Sequence, residues 1–220
     1  MIPIALLAGV VFALLGAGAE RLAAYWPADE ASRRGPGFRT LLLAVLAGVA
    51  AAAVVLRSGL PAWATAGYLT LLAPMVVLTA TDLEQRRLPH VVLDPTIIAA
   101  VAFVPINPAL GPDLVGRVVN AAIGGAVAVA FLGLTGLVVR GGIAMGDIYL
   151  VAPIGLMLGW PAVFTAVFFG AILSAVAGLT LLASRRAGLR TYIPFGPFLI
   201  AGLVLALVID PSLLGTAVRT

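Results

Sequence analysis

Residues 60–82 read LPAWATAGYLTLLAPMVVLTATD, a long run without a formal charge that is closed by Asp82. A hydrocarbon core about 30 Å thick is crossed by about 20 apolar residues rising about 1.5 Å each, so this run predicts a transmembrane helix with a carboxylate at its end. The same reading extends in both directions. It gives spans at Ile2–Ala19, Thr40–Leu56, Leu60–Thr81, Val91–Ile106, Val118–Val139, Phe164–Ala183 and Pro197–Ile209, and a shorter piece, Ile148–Trp160, that contains Pro153. With that piece the count is eight, and without it seven. Between the spans stand Pro, Gly and charge, as in Arg33–Gly37, Gly59-Leu60-Pro61 and Pro105–Pro112. The expected fold class is therefore all-α, a polytopic integral membrane protein with one embedded domain over residues 1–220.

Composition supports this. The chain is 62% hydrophobic and 10% charged, with a mean hydropathy of +1.17. A soluble domain carries about 25% charged residues, so lipid must cover much of this one, and the bilayer is its first partner. Met1–Ala19 lacks a basic flank and is expected to be a retained first helix. The Ala/Gly-rich fifth span, with Gly124-Gly125, suits close helix packing in lipid.

The formal charge of +4 raises the question of nucleic acid, but every basic residue is Arg and none lies in a long basic run. Eight alternating spans put loops 20–39, 82–90, 140–147 and 184–193 on one side with ten arginines, against Arg57, Arg117 and Arg219 on the other. That bias predicts a cytoplasmic face for the first set, in the inner (plasma) membrane. The charge is thus topological, and no nucleic-acid partner is expected. Arg117 is expected to snorkel to the outer interface. The chain has no Cys, which excludes disulfides, thiolate metal sites and a Cys nucleophile. A lone His90 cannot build a zinc site, so no metal and no cofactor are expected.

Two carboxylates carry the candidate chemistry. Asp82 follows the third span, and Asp147 opens the sixth in Gly141-Gly142-Ile143-Ala144-Met145-Gly146-Asp147, both on the same predicted face. Carboxylates at a membrane boundary are costly unless they are paired or functional. Two carboxyls sharing a site hold one proton between them; the ionised member can activate water while the protonated one polarises a carbonyl. Gly146 lets a backbone approach closely, as an extended substrate strand requires. The bland alternative is a pair of helix-end charges solvated by headgroups, with Asp147 held by the helix dipole.

The order Asp82 with Leu88-Pro89, then Gly146-Asp147-Ile148-Tyr149-Leu150, then Ile193-Pro194-Phe195-Gly196-Pro197-Phe198-Leu199 resembles the type IV prepilin peptidases, aspartyl intramembrane proteases of the GxGD class. The resemblance covers roughly residues 70–205. It implies that Asp82 and Asp147 are the catalytic pair of an aspartic endopeptidase. The implied partner is a prepilin-like precursor with a basic leader and a hydrophobic helix, cut on the cytoplasmic side. Family members that also N-methylate the product carry a Cys-rich insertion between the first two helices. Here that interval is the short Cys-free loop 20–39, so methylation is not expected. Gly146, Glu84, Pro194, Phe195 and Gly196 are the expected substrate-binding residues, although Glu84 also reads as a solvated charge pairing with Arg86 or Arg87.

Three positions depart from the family pattern. Ala144 stands for the first Gly of GxGD, Tyr149 for a Lys, and His90 for an Asp or Asn. Alanine costs little where φ is negative and is strained where φ is positive. Two rival readings follow: an inactive homologue that binds pilin-like helices, and a proton-coupled transporter. The second would want charges near the bilayer middle, whereas these acidic residues lie near helix ends.

Overall fold

In the computed structural model, which describes residues 1–26, 34–138, 143–185 and 193–209, the chain forms eight α-helices and, among those residues, no strand. They are α1 (Ile2–Ala23), α2 (Phe38–Arg57), α3 (Ala62–Gln85), α4 (His90–Phe103), α5 (Leu114–Val138), α6 (Met145–Leu158), α7 (Ala162–Ala183) and α8 (Gly196–Ile209). Two 3-10 turns, Val104–Ile106 and Pro108–Leu110, connect α4 to α5. The short apolar piece read as Ile148–Trp160 is helical, as α6, which makes eight helices among the described residues. Five helices (α1, α2, α3, α5 and α7) are long and apolar enough to cross a membrane, while α4, α6 and α8 are shorter.

The long helices invert the pattern of a soluble bundle. On α1 the exposed positions are Ile4, Leu7, Val11 and Leu14, and on α2 they are Leu42, Val45, Leu46 and Val49. The buried positions are mostly small: Ala5, Gly16, Ala19 and Ala23 on α1, and Ala47, Gly48 and Ala51 on α2. Lipid tails are as apolar as leucine, so burying large side chains gains little; small residues instead bring backbones into van der Waals contact. A Cβ on Gly48 would stand 2.7 Å from the Gly9 carbonyl oxygen. One on Gly124 of α5 would stand 2.6 Å from the Gly155 carbonyl oxygen of α6. The close packing expected at Gly124-Gly125 is therefore a contact with α6.

Helix α3 runs through the middle, with Tyr68, Met75 and Leu78 fully buried against Leu150 and Ile154 of α6 and Leu199 and Leu203 of α8 in one apolar cluster. Its N-terminal half is pinned by a polar network. The Tyr68 hydroxyl donates to the Met157 carbonyl at 2.7 Å, and Asn107 Nδ2 donates to that carbonyl at 2.9 Å and to the Tyr68 oxygen at 3.0 Å. Asn107 Oδ1 accepts the Ala109 N–H at 3.1 Å. Nearby, Arg117 donates to the carbonyls of Gly111, Pro105 and Pro112 at 2.8, 2.9 and 3.0 Å. The Arg117 guanidinium thus organises the α4–α5 connection, whose prolines leave carbonyls without helical partners. With this end fixed, the C-terminus of α3 and the N-termini of α4, α6 and α8 meet at the other.

Candidate active site

Asp82 lies inside the last turn of α3, not after it, because the helix continues to Gln85. Arg86 stops it in the left-handed region, φ 55° and ψ 38°, its N–H donating to the Asp82 carbonyl at 2.9 Å. Leu88-Pro89 then leads directly into α4, with Pro89 at the helix-entry position. Ala144 caps the start of α6 at φ −78° and ψ 151°, and the Asp147 N–H donates to its carbonyl at 3.1 Å. Asp147 therefore sits in the first turn, where the helix dipole favours an anion. Helix α8 begins at Gly196.

Gly196 brings the parts together. A Cβ built on it would stand 2.7 Å from Asp82 Oδ2 and 3.4 Å from Asp147 Oδ1, so the separation of those two oxygens cannot exceed the sum of the two distances. Its backbone amide approaches both carboxyl groups. Asp82 is 5% exposed and Asp147 2%, and the Oδ2 atom of each has no hydrogen-bond partner. Headgroup-solvated charges would be open to solvent, so the bland reading fails on burial. What remains is a pair of carboxyls held close together with oxygens left over for another molecule.

That molecule has room. A pocket of about 300 Å³ is lined by Asp82, Arg86, Arg87, Leu88, Pro89, His90, Ala144, Gly146 and Asp147. Gly146 faces it, and a Cβ there would come within 3.1 Å of Leu88 Cδ1, so the glycine also lets the α3–α4 loop close over α6. His90 Nδ1 lies 2.9 Å from Asp94 Oδ1, and its ring meets Tyr149 edge to face at 5.4 Å. Of the expected segment at 194–196, Gly196 reaches the carboxyls, whereas Phe195 packs against the apolar cluster and Pro194 lies before the helix.

Glu84 is not among the residues that line this pocket. Its side chain is 7% exposed and is held by Arg34 at 2.8 Å and Arg39 at 3.3 Å. The cause is helix geometry, since two residues beyond Asp82 is about 200° around the axis and so on the far side of α3. Among the described residues no group of three or more His, Cys, Asp or Glu is arranged to hold a metal ion.

The type IV leader peptidase family matches residues 69–179, which contain both carboxylates. A prepilin leader peptidase/N-methyltransferase of Aeromonas salmonicida (strain A449) is 31% identical over 158 residues, 69% of this chain and 52% of its own length. The protein of the same description from Bacillus subtilis (strain 168) is 31% identical over 97 residues, 44% of this chain and 39% of its own. That from Burkholderia pseudomallei (strain K96243) is 41% identical over 61 residues, 28% and 20%. The chain spans about half the length of the Aeromonas relatives. No solved structure matches it.

Proposed function

The chain belongs to the type IV leader peptidase family, and from that premise we propose that it is a membrane aspartic endopeptidase that cuts the leader from prepilin-like precursors, with Asp82 and Asp147 as its catalytic pair. The observation that carries this reading is the burial of two carboxyls around Gly196, each with an unpartnered oxygen beside a pocket. The pair holds one proton. The ionised carboxyl takes a proton from water as the water oxygen bonds to the scissile carbonyl carbon. The protonated carboxyl donates to the carbonyl oxygen, and the tetrahedral species collapses as the leaving nitrogen is protonated and the C–N bond breaks.

The substrate class is supported by the family match. A hydrophobic helix is soluble in the bilayer beside the exposed apolar faces, and its leader junction reaches the pocket from the membrane side. The arginine bias supports a cytoplasmic location for that end in the inner membrane. The interval between α1 and α2 holds no Cys, so the product is expected to leave unmethylated. Ala144 at φ −78° occupies a conformation open to any residue, which removes the backbone argument for an inactive homologue.

Single-turnover cleavage of a leader-bearing precursor tests the reading. Asp82→Asn and Asp147→Asn should each lower the rate by about 10³-fold or more, because the two groups act as a unit. Substantial turnover in either variant would remove that carboxylate from the mechanism. The chain's freedom from Cys makes the topology testable as well. Single cysteines introduced beside Asp82, Asp147 and Arg185 should react only with a reagent supplied from the cytoplasmic side, and labelling of any one from outside breaks the assignment.

A further inference from the structure

The last turn of α3 has two faces. One presents Asp82 to Gly196 and Asp147. The other carries Glu84, whose partners belong to the first two helices and the segment between them. Arg34 bridges Glu84 to Glu20 near the end of α1, and Arg39 in the first turn of α2 adds a second contact to Glu84. Thr40 donates to Glu20 Oε2 at 2.6 Å, and Arg21 donates to the Arg34 carbonyl at 2.7 Å. Gln85 Nε2 donates to the Ala23 carbonyl at 2.7 Å.

In this cluster the two carboxylates are paired by Arg34 and Arg39, and the side chains of Glu20 and Glu84 are only 6% and 7% exposed. Buried ion pairs gain little net stability over apolar packing; their best-attested use is to fix register. Here the register is that of a helix end. A terminal turn has carbonyls without helical partners and frays readily, and α3 ends at Gln85, three residues after Asp82. Resting on the peptidase reading above, we infer that Glu84, bridged to Glu20 by Arg34, is a positioning residue for Asp82, fixing the rotation of the last turn of α3 that sets the Asp82 carboxyl beside Gly196 and Asp147. Glu84 touches no reacting atom. It acts through the helix, from the side opposite the pocket.

The test uses the full chain in lipid vesicles. Glu84→Gln and Arg34→Gln should each lower the single-turnover rate by about 10- to 100-fold while the precursor concentration at half-saturation stays unchanged, as displacement of a catalytic group by about 1 Å does. The double variant should lose no more than the worse single one. Asn107→Ala at the far end of the bundle serves as the control for a loss of stability alone. A readout independent of turnover comes from carboxyl-labelled aspartate, since the chain has only six. The Asp82 titration seen by 13C NMR should respond to Asp147→Asn in the otherwise native chain and no longer respond in the Glu84→Gln and Arg34→Gln backgrounds. A simple field effect would move Asp82 in opposite senses in those two variants and leave the response intact. Should the native chain fail to cleave, the peptidase reading falls, and the NMR response still decides the positioning role. Retention of the response in both variants, or a rate loss equalled by Asn107→Ala, overturns the inference. If a glutamine variant does not fold, Glu84→Asp and Arg34→Lys are read the same way: a response identical to that of the native chain sinks it.

Discussion

The two ends of this bundle treat buried polar groups in opposite ways. At one, Tyr68, Asn107 and the Met157 carbonyl close a network in which the side-chain oxygens and the amide nitrogen are all engaged. At the other, Asp82 and Asp147 are as deeply buried, yet each keeps an oxygen with no partner. An unpaired polar atom out of water costs about 1–3 kcal/mol, more when charged, so an arrangement kept for stability alone would resemble the first end. The difference supports the proposed role of the two carboxyls in meeting another molecule. It does so without reference to sequence similarity.

Three substitutions can break or sharpen that contrast, beyond the two aspartate variants. The largest effect is expected from Gly196→Ala. Its Cβ would press on Asp82 Oδ2 at 2.7 Å, so the single-turnover rate should fall about 10- to 100-fold with little change in thermal midpoint. A fully active Gly196→Ala would mean that the carboxyls do not work in the arrangement described. Asn107→Ala should do the reverse, costing about 1–3 kcal/mol in unfolding measurements while the folded fraction keeps its native cleavage rate. A variant that unfolds no sooner but cleaves poorly would erase the distinction between the ends. The smallest effect belongs to Ala144→Gly. With φ already at −78° the glycine gains no conformation the site needs, and the rate should stay within about twofold. A large gain in rate would show alanine to be a handicap there after all.

Much of this was legible in the sequence because membrane spans are local. Each helix is an apolar run, and α6, though short, was legible as a helix in the stretch Ile148–Trp160. The carboxyl pair was legible through Asp82, Gly146-Asp147 and the Pro-Phe-Gly segment that ends in Gly196. The Glu84 cluster was not. Its members stand at positions 20, 34, 39 and 84, and nothing in helical periodicity says that loop arginines counted for topology will turn inward to buried glutamates. Asn107 was hidden for a similar reason, because an asparagine among prolines reads as a turn until the Met157 carbonyl arrives from 50 residues away. Gly196 was found only as part of a segment, since its contact with both carboxyls depends on how α8 packs against α3 and α6.

The length of α6 has a consequence for the bilayer itself. Fourteen residues rise about 21 Å, against a hydrocarbon thickness of about 30 Å, while the neighbouring α5 and α7 have 25 and 22 residues. The far end of α6 is anchored at Met157, where Tyr68 and Asn107 hold it. If α6 crosses the bilayer, the hydrocarbon must thin beside it or the helix must end short of one headgroup plane. Lipid chain length then becomes a variable of the reaction. Cleavage by the full chain should accordingly differ between vesicles of shorter and longer acyl chains.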